Sequence, residues 1–223
     1  MKIFELRCSS LPMLRRCSAS LSVLSRDEDQ PAKAIPDLDP WNPASSVGTA
    51  VHSLLAACVE DRDEDVEAAC HSAGVDEGDV GEVEYLAFMG RRIWHDHLKR
   101  HFSHPLTVES RITRDFESRD GNILRLSGQV DVACTNPNNW AEIVDWKSGR
   151  IEGDYEDQLR GYALLRCLKD NLPGCRAWVV FLRSGRYRLY EWTLDELTAW
   201  CQSKLVPVLA KATPCAGCSR AVR

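Results

Sequence analysis

The stretch Ile143-Val144-Asp145-Trp146-Lys147-Ser148-Gly149 sets two apolar β-branched residues before an acid, one intervening residue, a lysine and a Ser-Gly turn. In an extended strand alternate side chains point the same way, so Asp145 and Lys147 share one face while Val144 and Trp146 take the other. A carboxylate and an ammonium side by side at a strand end suit chemistry on a phosphate. The first can hold a divalent metal, and the second can orient an attacking water or offset developing charge. An isolated Asp-x-Lys is most often a surface ion pair. Here its neighbours give it weight. Upstream, Leu126-Ser127-Gly128-Gln129-Val130-Asp131-Val132 reads as a second strand carrying one acid. Downstream, Gln158-Leu159-Arg160-Gly161-Tyr162-Ala163-Leu164-Leu165 reads as a helix with Gln158 and Tyr162, four apart, on one face.

Working outward, the periodicity places further elements around this centre. Residues 1–24 read as a short helical segment, and residues 26–46, with Pro31, Pro36, Pro40 and Pro43, as a loop or linker. Ser45 and Ser46 are caps for a helix with Val51, Leu54, Leu55 and Cys58 at helical spacing. A second helix is expected over 82–101, with Tyr85, Phe88, Met89, Ile93 and Trp94 inward and a basic end at Lys99-Arg100-His101. Strands follow at 106–116, 122–134 and 140–147, the first two joined by an Asp120-Gly121 turn. A helix over 155–169, strands at 177–182 and 187–192, and a helix from Asp195 to about Lys211 complete the series. Asp131 and Asp145 therefore fall on neighbouring strands that a hairpin brings to one end of a sheet. His95, His97, His101 and His104 lie near the basic helix end and are read as facing solvent or nucleic acid rather than a metal.

Together these residues resemble the PD-(D/E)xK nuclease superfamily, and within it the RecB/AddB-like and CRISPR-associated RecB-like exonucleases. The resemblance rests on four segments in order: Gly48-Thr49-Ala50-Val51-His52, Gly128-Gln129-Val130-Asp131, Ile143 to Gly149, and Gln158 to Tyr162. It spans about residues 44 to 193. It implies an α/β fold with a restriction-endonuclease-like core, a mixed central β-sheet flanked by helices in αβββαβ order. On this reading 1–223 is a single nuclease domain: 1–46 an N-terminal Cys segment and Pro-rich linker, 47–212 the core, 213–223 a C-terminal CxxC tail.

The resemblance also implies roles. Asp131, Asp145 and His52 would bind Mg²⁺ or Mn²⁺, the imidazole tilting preference toward Mn²⁺. Lys147 would assist hydrolysis, or only pair with Asp145. Glu109 matches a position where these families carry a glutamate; it is an acid behind the ligands, the base for the attacking water, or a solvated strand acid. Gln158 and Tyr162 would line the DNA path. Cys17, Cys215 and Cys218 match thiols that in such nucleases hold a [4Fe–4S] cluster across the two ends. A fourth Cys after Cys218 is missing, so Cys8 or Cys201 substitutes, or the sequence is a truncated form, or the cluster is lost and the thiols bind zinc or no metal. The expected activity is a metal-dependent DNA exonuclease acting on linear DNA with a free end, in recombination, repair or phage DNA processing, with a helicase or recombination protein as partner. The rivals are a catalytically silent DNA-end-binding scaffold and an iron–sulfur redox sensor on the same fold.

Bulk properties agree with a soluble globular chain. The 223 residues are 44% apolar and 27% charged, and no run approaches the ~20 apolar residues of a membrane span. The first residues are broken by Arg7, Arg15 and Arg16 and lack the apolar run of a secretory signal. A cytoplasmic location and reduced thiols are expected, with Cys58, Cys70, Cys134, Cys167 and Cys175 read as small buried hydrophobes. Net charge is −5, but residues 60–84 hold eleven acids against Arg62 alone, which leaves the rest at +5. An acidic lobe beside a mildly basic body is compatible with a groove that tracks DNA.

Overall fold

The strand carrying Asp131 organises the molecule because it is long enough to take three partners. A computed structural model describes residues 2–14, 25–27, 46–117 and 121–206. The strands are β1 (Lys2–Arg7), β2 (Ser25–Asp27), β3 (Thr107–Glu117), β4 (Ile123–Thr135), β5 (Ala141–Lys147), β6 (Gly174–Phe181) and β7 (Arg186–Thr193). They form one mixed sheet in the order β2-β1-β4-β5-β6-β7, with β3 also on β4. Strand β3 lies antiparallel along one edge of β4 from Thr107↔Ala133 to Glu117↔Ile123. The other edge is shared. Strand β1 pairs parallel with its first part, up to Arg7↔Ser127, and β5 antiparallel with its last part, from Val132↔Val144. Among the described residues, no strand pairs with 128–131 on that edge. This gap is where the site forms.

Helices cover both faces: α1 (Leu11–Leu14), α2 (Ser46–Val59), α3 (Val66–Ala73), α4 (Val80–Ile93), α5 (Glu156–Asp170) and α6 (Leu194–Trp200). The alternation in β5 sorts its side chains as expected. Ala141 and Ile143 join the core under α5 and α6, whereas Val144 and Trp146 join the core under α2, α3 and α4. Leu159, Ala163 and Leu165 of α5 are fully buried on the first face, and Val51, Leu54 and Leu55 of α2 on the second. Burying such a side chain contributes about 1.5–3 kcal/mol, so the apolar stripes hold both helices to the sheet. The run α4-β3-β4-β5-α5-β6 keeps the order read from periodicity.

Three expectations are corrected, and one further helix is found. Lys2–Arg7 is a strand, not part of a helical segment; it lies between β2 and β4, and Ile3, Phe4, Glu5 and Leu6 are all buried, as a strand covered on both faces requires. Ser25–Asp27 is a short strand on β1 at the start of the expected linker. The acidic segment contains a helix, α3, whose first turn is capped by Asp65 accepting from Ala68 N at 2.9 Å and whose end is set by Gly74 at φ 67. On α4, Tyr85 and Phe88 face outward at 51% and 60% exposure, and Val83, Leu86 and Ala87 are the buried residues instead, with Ile93 and Trp94 inward as read. Adjacent apolar residues there left the inner face ambiguous by one helical step. The expected helix over 82–101 continues past α4 as a π-turn at Trp94–Leu98 and a 3₁₀-turn at Lys99–His101. The seven described cysteines are free thiols; Cys70, Cys134, Cys167 and Cys175 are buried, and Cys58 is partly exposed. No helix among the described residues is long and apolar enough to cross a membrane.

Candidate active site

Where β5 passes Val144 it splays from β4, and a side chain takes over from the backbone ladder. Asp131 Oδ2 accepts the Trp146 N–H at 2.6 Å, which satisfies a buried donor that the lost pairing would orphan. The other oxygen, Oδ1, lies 3.4 Å from His52 Nδ1. His52 is one residue from the buried Val51 on α2, so its ring reaches the sheet from the edge of the helix's packing stripe. The third member is Glu109, opposite Asp131 on β3. Its Oε1 lies 3.6 Å from His52 Nδ1, and its Oε2 accepts from Gln129 Nε2 at 2.6 Å. Glu109 has φ 47, and the β3–β4 pairing skips it between Val108↔Val132 and Ser110↔Val130. Strained backbone of this kind clusters at functional sites.

The ligand atoms of His52, Glu109 and Asp131 all lie within 4.8 Å of one another. Donors around an ion at the 2.0–2.1 Å bond lengths typical of Mg²⁺ stand about 3–4 Å apart, a range that includes the 3.4 and 3.6 Å from His52 Nδ1 to Asp131 and Glu109. The donor set, two carboxylate oxygens and one imidazole nitrogen, also suits a divalent cation of intermediate hardness. Electrostatics agree. Burial presses His52 toward its neutral form, but the charge and hydrogen bond of Asp131, with Glu109 behind them, overcome this and lift its pKa to about 10. The two carboxylates thus favour the protonated ring.

Asp145 and Lys147 form the second half of the site, on the face of β5 that looks toward α5. Lys147 Nζ meets Asp145 Oδ2 at 2.7 Å and Gln158 Oε1 at 3.3 Å. Gln158 Nε2 reaches Asp145 Oδ1 at 3.4 Å and Tyr162 Oη at 2.8 Å. Tyr155, just before α5, places its ring 4.5 Å beneath the Lys147 ammonium. Burial raises the Asp145 carboxyl to about 6, with Lys147 opposing and Asp131 reinforcing that rise. Burial would lower the Lys147 pKa, but the Asp145 charge and hydrogen bond raise it, so the ammonium stays charged. Arg183 supports the turn after Lys147 by donating Nε–H to Ser148 O at 2.9 Å while pairing with Glu82 of α4.

The residue types expected at the site are thus present at one end of the sheet, but their grouping differs from the simplest reading. Glu109, left open between three roles, stands in the candidate metal triad; Asp145 is turned to Lys147 and Gln158. Among the four histidines near the basic helix end, His95 meets Cys58 Sγ at 3.7 Å, His97 packs on Tyr187, His101 packs on Trp178, and none of the four belongs to a ligand cluster among the described residues. Cys17, Cys215 and Cys218 lie outside the described residues. Sequence reasoning missed Gln129 and Tyr155. The period of two along β4, which puts residues 129 and 131 on one face, could have pointed to Gln129; nothing local marks Tyr155.

The family model described as the PD-(D/E)XK nuclease superfamily matches residues 8–209. This chain belongs to that superfamily. Its mixed sheet flanked by helices is the restriction-endonuclease-like PD-(D/E)XK core. A solved structure described as "Crystal structure of SSO0001" is similar over 71% of this chain and 73% of that chain, at 12% identity and a TM-score of 0.33. A likeness of that degree carries no argument about function. No curated protein matches the chain.

Proposed function

We propose that this PD-(D/E)XK protein is a metal-dependent DNA exonuclease of the RecB-like type. The observation that supports it best is the pair of carboxylates converging on His52 Nδ1 beside the part-buried Asp145–Lys147 ion pair. His52, Glu109 and Asp131 would hold a divalent cation, Mn²⁺ or Mg²⁺, with Asp145 at the flank. When bound, that cation supplies Lewis acidity toward a phosphate oxygen and lowers the pKa of water at the site. The chain's own groups do the rest. The Lys147 ammonium, held between Asp145, Gln158 and the Tyr155 ring, stabilises negative charge as it grows on the phosphoryl oxygens. Asp145 fixes that ammonium through a 2.7 Å contact. Gln158 ties Asp145, Lys147 and Tyr162 into one unit, so α5 sets the orientation of the reacting groups.

Linear DNA labelled at one end, incubated with Mn²⁺ or Mg²⁺, tests the proposal. Progressive loss from the end in wild type, abolished by Lys147→Ala and by Asp145→Ala, supports it; a folded wild type that leaves DNA intact with either ion overturns it. Cutting of circular DNA at the same rate as linear DNA would replace the exonuclease by an endonuclease. As the resemblance implies, the proposal extends to a [4Fe–4S] cluster on Cys17, Cys215 and Cys218 and to a helicase or recombination partner. Protein isolated without oxygen and lacking both iron and sulfide would remove the cluster.

A further inference from the structure

Two carboxylates face the His52 ring, and each is gripped by one oxygen while presenting the other. For Asp131 the grip comes from the backbone: Trp146 N–H holds Oδ2 at 2.6 Å, and Oδ1 stands 3.4 Å from His52 Nδ1. For Glu109 it comes from a side chain: Gln129 Nε2 holds Oε2 at 2.6 Å, and Oε1 stands 3.6 Å from the same nitrogen. Glu109 has more need of it. Its side chain is one bond longer and 33% accessible, against 9% for Asp131, so more rotamers are open to it. Its backbone at φ 47 interrupts the β3–β4 ladder and adopts the left-handed conformation that a Cβ disfavours.

We propose that Gln129 is the positioning residue for Glu109, fixing one oxygen so that the other serves as a metal ligand. The inference rests on the triad being a divalent-metal site. Gln129 is exposed on β4, so core packing does not account for its contact. Its amide can donate to the carboxylate without adding charge to the site. Gln129 is thus to Glu109 what the Trp146 N–H is to Asp131. Groups that hold a ligand from behind typically account for 10–100-fold in metal affinity.

The test is Mn²⁺ binding by titration calorimetry without DNA, on wild type, Gln129→Met, Glu109→Ala and the double variant. Methionine keeps the length and removes the donor. Gln129→Met is expected to weaken Mn²⁺ about 10–100-fold, with the melting temperature of the metal-free protein unchanged. The double variant should bind no more weakly than Glu109→Ala, because Gln129 acts through Glu109. Binding by Gln129→Met within about twofold of wild type, or additive losses in the double variant, overturns the proposal. A wild type that takes up no Mn²⁺ overturns it together with the metal-site reading. Mn²⁺ uptake with the expected losses, but without DNA cleavage, overturns the exonuclease reading alone and leaves the positioning role standing.

Discussion

The His52 ring carries the most informative charge in the metal-free protein. Its pKa stands at about 10 instead of 6.5, because Asp131 and Glu109 outweigh the burial that favours the neutral ring. A divalent ion must displace that proton, so binding releases it and Mn²⁺ affinity should rise about tenfold per pH unit below 10. Calorimetry in two buffers of different ionisation heat measures the released proton, and His52→Gln should abolish it; pH-independent affinity would exclude His52 as a ligand. The same shift acts on stability. A group whose folded pKa is raised contributes stability that is whole below 6.5 and lost as pH rises through about 10. Metal-free wild type should therefore lose stability across that window, and His52→Gln should lose less. Asp131 separates two tasks in one side chain. Asp131→Asn and Asp131→Ala should both lose activity, but the amide oxygen of asparagine still accepts the Trp146 N–H. Alanine leaves that buried donor unpaired, at a cost of about 1–3 kcal/mol, and thermal melts of the two variants read the difference. Equal melting temperatures would mean that the Asp131–Trp146 bond adds nothing to the fold.

At the scale of elements, the site exists because β4 changes partners. Strand β1 leaves at Ser127, β5 takes over at Val132, and α5 fills the interval from one face. Gly128 allows this. A Cβ there would lie 2.6 Å from two Tyr162 ring carbons and 3.1 Å from Cys8 Sγ, so the aromatic ring rests directly on the strand backbone. Gly128→Ala should cost about 1–3 kcal/mol by overpacking. Because Tyr162 accepts from Gln158, which also contacts Lys147, the displaced ring should lower cleavage while Mn²⁺ affinity at His52, Glu109 and Asp131 stays near wild type. Calorimetry and a cleavage assay on the same sample check the split; an unchanged melting temperature would show that the contact relaxes freely. The Gly128-to-Asp131 spacing was legible as a motif, but its cause, a vacated strand edge under an aromatic ring, involves β1, β5 and α5 at once.

At the scale of the molecule, the site bridges two layers. His52 comes from α2, Glu109 and Asp131 come from the sheet, and Gln158 comes from α5 on the other face. A bound ion would tie α2 to the sheet. At 100 times its dissociation constant it should stabilise the fold by about 2.7 kcal/mol, roughly 5–10 °C in melting temperature for a chain of this size. Hydrogen exchange should slow in α2 on adding Mn²⁺ and recover with a chelator, and His52→Ala should remove the effect on α2; unaltered α2 exchange in wild type would show that the helix is not bridged. The sequence alone determined the order of helices and strands around the site and the shared face of Asp145 and Lys147, because periods of 2 and 3.6 are local properties of the backbone. Through its resemblance to a known family it also singled out His52, Asp131, Gln158 and Tyr162. Tertiary structure alone decided that β1 lies inside the sheet, that Tyr85 and Phe88 face outward, and that Glu109 turns into the triad. Those outcomes depend on where strands pair and where they part, and so on contacts between residues far apart in the chain.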